Sequence, residues 1–167
     1  MFLPNTHFRH LHPPDAPALE AFFADLVASG SGAVFHPHPL TLAQAEWLCC
    51  QQLRNDIDEY RVAVEDGRIV AYGLLRGWAE GYEIPSLGIA VRPCCRGRGI
   101  ARRFMHLLHD VARGRGASTI RLKVYRDNLP ALRLYQSLGY ELSPHSKTEW
   151  LGLLHLRPAP AMPSRAS

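Results

Sequence analysis

Six consecutive residues, Arg96-Gly97-Arg98-Gly99-Ile100-Ala101, combine two features that suit a phosphate ligand. Gly97 and Gly99 let backbone N–H groups crowd together with no side chain in the way. The arginines add full positive charge. An apolar run, Leu87-Gly88-Ile89-Ala90-Val91, precedes them, and a helical pattern from Ile100 to Arg113 follows. The segment therefore reads as strand, basic glycine turn and helix, with a helix N-terminus adding its partial positive charge. Two phosphate-binding motifs are excluded. A P-loop needs Gly-Lys-Ser/Thr, and Gly99 is followed by Ile100 and Ala101. A dinucleotide fingerprint needs a small residue where Arg102 stands.

A second constellation lies downstream. Ile120, Leu122 and Val124 alternate with Arg121 and Lys123, which predicts a half-exposed strand over 118–125. Asn128 stands at an N-cap position with Pro130 in the first turn. Ala131, Leu134, Tyr135 and Leu138 follow at helical spacing, and Gly139 closes the helix. The stretch Arg96 to Ala101 fits Arg/Gln-x-x-Gly-x-Gly/Ala at every position. It resembles the acetyl-CoA pyrophosphate loop of the GNAT N-acetyltransferase superfamily. The run from Asn128 through Ala131, Leu134 and Tyr135 to Gly139 and Tyr140 resembles that superfamily's second signature. The two signatures stand in the right order and at the right separation, and the resemblance spans residues 8–156.

The resemblance implies an acetyl-CoA-dependent enzyme that passes an acetyl group directly to a primary amine. It implies that Arg96, Gly97, Arg98, Gly99, Ile100 and Ala101 hold the pyrophosphate, that Ile89, Ala90 and Val91 bond the pantetheine arm through their backbone, and that Asn128 contacts the cofactor. Tyr135 takes the place of the family's general acid. A phenol of ordinary pKa, about 10, is protonated at neutral pH and can protonate a leaving thiolate. An ammonium substrate must lose a proton first. Glu83 is the expected base, with Glu80 and a water chain as alternatives. Glu83 stands slightly upstream of the usual position, which Pro85 and Ser86 occupy.

The elements that must position these groups follow from pattern. Phe8 to Leu11 reads as a strand. Asp15 precedes a helix over 16–28, and Thr41 caps a second helix with Ala45, Leu48 and Cys49 on its apolar side. Strands over 61–65 and 69–75 are joined by Asp66-Gly67, a hairpin signal. Strands over 86–91 and 147–156 complete the set. The order βααβββαβαβ gives an α/β class, a mixed sheet flanked by helices. The resemblance implies that the sheet is splayed between its fourth and fifth strands.

The chain's 167 residues, 47% hydrophobic and 20% charged, fit a single globular domain over 1–157. Residues 158–167, rich in Pro, Ala and Ser, read as a disordered tail. No apolar run reaches membrane-spanning length, and the N-terminus lacks a signal-peptide pattern, so a cytoplasmic location is expected.

The net charge of +4 concentrates between Arg92 and Arg126. An acidic cofactor explains that better than a duplex, so no nucleic-acid partner is expected. Cys49-Cys50 and Cys94-Cys95 are vicinal pairs without metal or redox spacing. His36-Pro37-His38 lacks a carboxylate to complete a ligand set, so no metal is expected. It can instead serve a substrate loop. Trp47, Trp78 and Tyr82 are further acceptor candidates. The acceptor reads as a small amine, an amino sugar or amino acid, and the chain as a monomer or homodimer. A non-catalytic acyl-CoA sensor and a protein N-terminal or lysine acetyltransferase are the competing readings.

Overall fold

The structure, a computed structural model, describes residues 5–54 and 57–158. The expected tail lies largely outside the described residues. The strands are β1 (His7–His10), β2 (Glu59–Glu65), β3 (Arg68–Arg76), β4 (Ser86–Val91), β5 (Thr119–Tyr125), β6 (Glu141–Pro144) and β7 (Glu149–His155). The α-helices are α1 (Ala16–Ala28), α2 (Leu42–Cys49), α3 (Ile100–Gly114) and α4 (Leu129–Ser137). One strand, β6, exceeds the expected order; it forms a hairpin with β7 at the sheet edge.

The seven strands lie in the order β1-β2-β3-β4-β5-β7-β6. All neighbours are antiparallel except β4 and β5. The β2–β3 turn places Asp66 at φ 48° and Gly67 at φ 76°, the paired positive values that a two-residue hairpin of primed type requires.

Alternation along β3 divides the core between the two faces. Tyr72 and Leu74 pack with Phe22, Phe23 and Leu26 of α1 and with Leu48 of α2. Ala71 and Leu75 pack on the other face with Phe104, Met105 and Leu108 of α3. Gly73 has no alternative there: a Cβ would lie 2.8 Å from the Phe104 ring.

The feature that positions the site is the divergence of β4 from β5. They share a single register pair, Ser86 with Arg121, where Arg121 N–H donates to the Pro85 carbonyl at 3.0 Å. Along β5 the chain then pairs with β7 alone, from Thr119 to Tyr125. The β3–β4 register is regular, so backbone groups of β4 alternate sides strictly. Since the Pro85 carbonyl faces β5, the N–H and C=O groups of Ile89 and Val91, beyond the last β4–β5 pair, face the gap.

Candidate functional site

The gap opens into a cavity of about 470 Å³. Leu87 to Val91 form one wall; Lys123, Val124 and α4 form the other. Leu26, Ser31, Val34 and Phe35 close it from the side of α1. Its floor is the turn from Cys95 to Gly99 and the start of α3.

That turn is shaped by its glycines. Gly97 stands at φ 73° and Gly99 at φ 76°, in the left-handed region that L side chains enter only at a cost. Gly99 is also the N-cap of α3. The first intrahelical donor is Arg103 N–H, to the Gly99 carbonyl at 3.1 Å. Among the described residues the N–H groups of Gly97 through Arg102 have no acceptor. Six consecutive donors thus stand free beside the cavity, backed by the dipole of a 15-residue helix.

The arginines around this turn are held by the protein. Arg92 is 3% exposed, donates to the Ile69 carbonyl at 2.9 Å and pairs with Asp25. Arg96 lines the cavity while donating to the Val91 carbonyl at 3.2 Å and to Ser31 Oγ at 2.7 Å. Arg102 also lines it and donates to Ser137 Oγ at 2.8 Å.

Arg98 departs from the sequence expectation. Its guanidinium reaches Glu65 at the end of β2, at 2.9 and 3.0 Å, and the residue is not among those lining the cavity. A deprotonated carboxylate within reach outcompetes open solvent for a guanidinium. The other expected cofactor contacts, Ile89, Ala90, Val91, Arg96, Gly97, Gly99, Ile100, Ala101, Asn128 and Tyr135, all line the cavity together.

Asn128 caps α4: its Oδ1 accepts from Ala131 N–H at 3.4 Å. The cap fixes the start of a nine-residue helix and thereby the direction of Tyr135. Tyr135 is 8% exposed. Burial pushes its phenol up to about 12. Its ring rests against Tyr140 at 5.7 Å, and Tyr140 is in turn bonded to His109 Nε2 at 2.8 Å. Among the described residues the Tyr135 hydroxyl makes no hydrogen bond, and since no buried side-chain oxygen there is left without a partner, this one reaches open space. It is therefore a protonated donor aimed at the cavity with nothing of the protein's own to bond.

The expected base stands apart. Glu83 is exposed in the loop before β4 and does not line the cavity; neither does Glu80. Among the described residues no carboxylate lines it. Trp78 also departs from a substrate role. It is packed against the α3 side of the core, with the Arg115 guanidinium 4.7 Å from its ring centroid. Trp47 lies 44% exposed beside Tyr60, and Tyr82, 61% exposed, covers Gly77.

The loop between α1 and α2, which carries His36-Pro37-His38, reaches the cavity. Val34 and Phe35 enter the cavity wall, and the loop is pinned at three further points. Arg76 donates to the Pro37 carbonyl at 2.7 Å, His38 Nε2 meets the Tyr72 hydroxyl at 3.0 Å, and His36 Nε2 meets the Tyr125 hydroxyl at 3.2 Å. His38 Nδ1 is bonded to the Pro39 carbonyl at 2.9 Å, which makes Nδ1 the protonated nitrogen. Nε2 then accepts from Tyr72. Both nitrogens are occupied, so His38 is a strut and offers no lone pair to a substrate. Among the described residues no cluster of His, Cys, Asp and Glu can hold a metal ion, and no helix is long and apolar enough to cross a membrane.

Comparison with known proteins agrees with this geometry. The family model described as "Acetyltransferase (GNAT) family" matches residues 19–140. An N-acetyltransferase from Staphylococcus aureus Mu50 superposes with a TM-score of 0.75 at 20% identity, over 92% of this chain and 99% of that one. A Thermoplasma acidophilum N-acetyltransferase in complex with coenzyme A gives 0.75 at 12% identity, over 90% and 99%. A ribosomal-protein-S5-alanine acetyltransferase from Vibrio fischeri gives 0.78 at 14% identity, over 93% and 96%. At these identities the likeness is one of fold, while the family model covers most of the chain itself. The chain belongs to the GNAT acetyltransferase family.

Proposed function

We propose that the protein transfers the acetyl group of acetyl-CoA to a primary amine of a small molecule, such as an amino sugar or amino acid. The observation that carries this reading is one continuous cavity with free backbone donors at its floor and the unpartnered Tyr135 hydroxyl in its wall. The diphosphate sits on the N–H groups of Gly97 through Arg102, with Arg96 and Arg102 beside it. The pantetheine arm runs up the gap and takes strand-like bonds from Ile89 and Val91. Ala90, whose side chain packs toward α1, keeps that strand in register.

The neutral amine attacks the thioester carbonyl, and a C–N bond forms as the carbonyl π bond becomes an oxyanion. An N–H of β4 facing the gap stabilises that charge. The C–S bond then breaks, the thiolate takes a hydrogen bond and a proton from Tyr135, and the surplus proton on the attacking nitrogen leaves through water to restore the phenol, so that neutral amide and free thiol are the products. A phenol at about 12 keeps its proton until charge accumulates on sulfur. The substrate ammonium gives up its proton to Glu83 through water, because the carboxylate stands outside the cavity. Lys123, Arg96 and Arg102 line the cavity, and positive surroundings favour the neutral amine.

The loop pinned by His36 and Tyr125 spans from α1 to the end of β5, which favours a small acceptor over a polypeptide. The second reading, a protein N-terminus as acceptor, draws on the Vibrio fischeri relative, described as acting on a ribosomal protein's alanine. Incubation with acetyl-CoA and a panel of amino sugars, amino acids, polyamines and peptides, read by free thiol and product mass, tests both. Acetylated small amines support the first reading, and acetylated peptides alone the second. CoA binding with no acetylation anywhere on the panel would favour a non-catalytic sensor.

A further inference from the structure

We propose that Glu65 is a positioning residue for the phosphate-binding turn, acting through Arg98; this rests on the reading that the turn holds the CoA diphosphate. Glu65 ends β2, is 8% exposed, and accepts a hydrogen bond from Thr6 Oγ1 at 2.6 Å. The same carboxylate takes two bonds from one Arg98 nitrogen, at 2.9 and 3.0 Å. Arg98 lies between the two left-handed glycines of the turn. Such a segment has more backbone freedom to lose than any other when it orders around a ligand. On its other flank the turn is held by Arg96, bonded to Ser31 and to the Val91 carbonyl. The turn is thus slung between two anchors, one on the α1 side and one on β2. Holding it in the ligand-ready shape removes part of the ordering cost of binding.

The assignment predicts a direction that separates it from its rival. If Arg98 were a phosphate contact sequestered by Glu65, removing the carboxylate charge would free it and tighten binding. If Glu65 positions the turn, removing the charge loosens binding. The experiment is calorimetric titration of the full chain with CoA, with steady-state kinetics on acetyl-CoA, for wild type, Glu65→Gln, Arg98→Gln and the double variant. The expected result is a Kd and an acetyl-CoA KM raised by about three- to tenfold in each single variant. The kcat of Glu65→Gln should stay within about twofold, and the double variant should bind CoA no worse than either single one. Glu65→Asp should recover part of the affinity. Unchanged or tighter CoA binding by Glu65→Gln, or additive losses in the double variant, would overturn the tether. Should Glu65→Gln misfold, Arg98→Gln reports the same bond from its more exposed end, and unchanged affinity there overturns it equally. A wild-type chain that takes up no CoA would overturn the parent reading and this one with it. Wild-type binding with unaltered variants removes only the tether.

Discussion

His36 and Tyr125 join the α1–α2 loop to the end of β5, beside the gap where β5 diverges from β4. Their rings stack at 28° with centroids 6.0 Å apart, and His36 Nε2 lies 3.2 Å from the Tyr125 hydroxyl. The contact ties the α1–α2 loop, which closes the cavity from the side of α1, to the end of β5. Removing it should widen the acceptor side without touching the phosphate turn. His36→Ala and Tyr125→Phe should raise relative kcat/KM for bulky amines over small ones, with acetyl-CoA KM within about twofold of wild type. An unaltered size preference across a graded amine series would remove this contact from acceptor selection.

Tyr135→Phe deletes one oxygen and leaves the ring that packs on Tyr140. Loss of a general acid costs roughly 10²–10⁴-fold in rate. A fall in kcat of about 100-fold is expected, with CoA affinity nearly unchanged. Because burial pushes the phenol up to about 12, the acid form persists through pH 10. No activity loss from this group is expected below about pH 11. A kcat for Tyr135→Phe equal to wild type would remove the residue from the mechanism.

Glu83→Gln tests the carboxylate that stands outside the cavity. As proton acceptor through water, it should matter most where the amine is charged. The variant should therefore lose activity severalfold near pH 7 and recover as pH approaches the amine's own value, about 10. A pH profile parallel to wild type would assign proton removal to solvent alone.

Two histidines, His109 buried and His38 half-buried, contribute to the acid limb of stability. Burial pushes His109 down to about 4, and burial also lowers His38. Each is neutral in the fold and more basic in the unfolded chain. Protons are thus taken up on unfolding, so stability is full above about pH 6.5 and is lost as pH falls toward the folded values. Urea titrations at pH 7.0, 5.5 and 4.5 (roughly spanning that window) should show this decline. His109→Gln, which still offers Tyr140 a hydrogen-bonding partner and cannot titrate, should flatten part of it. An identical slope in the variant would contradict the role given to His109.

Much of this site was readable in the chain because its constraints are local. The positive φ of Gly97 and Gly99, the Asn128 cap three residues before Ala131, and the Asp66-Gly67 turn each follow from neighbours in sequence. What escaped depends on distant partners. Arg98 meets a carboxylate 33 positions away, which no spacing rule supplies. Trp78 and Glu83 both precede the expected strand, yet where their side chains lie is decided by α3 and by solvent. Strand β6 was missed because Glu141–Pro144 is four residues long, carries one apolar side chain and ends in proline, a pattern allowed only at an edge. The α1–α2 loop reads as a candidate substrate loop from its histidines, but its anchoring by Tyr72, Arg76 and Tyr125 depends on partners more than 30 positions away.

The free amides of Gly97 through Arg102 offer the most direct measurement. Backbone hydrogen exchange, followed residue by residue, should be compared with and without saturating CoA. Strong new protection at these amides, accompanied by Ile89 and Val91, is expected. Binding of CoA with these amides still exchanging freely, and protection gathered elsewhere, would contradict the assignment.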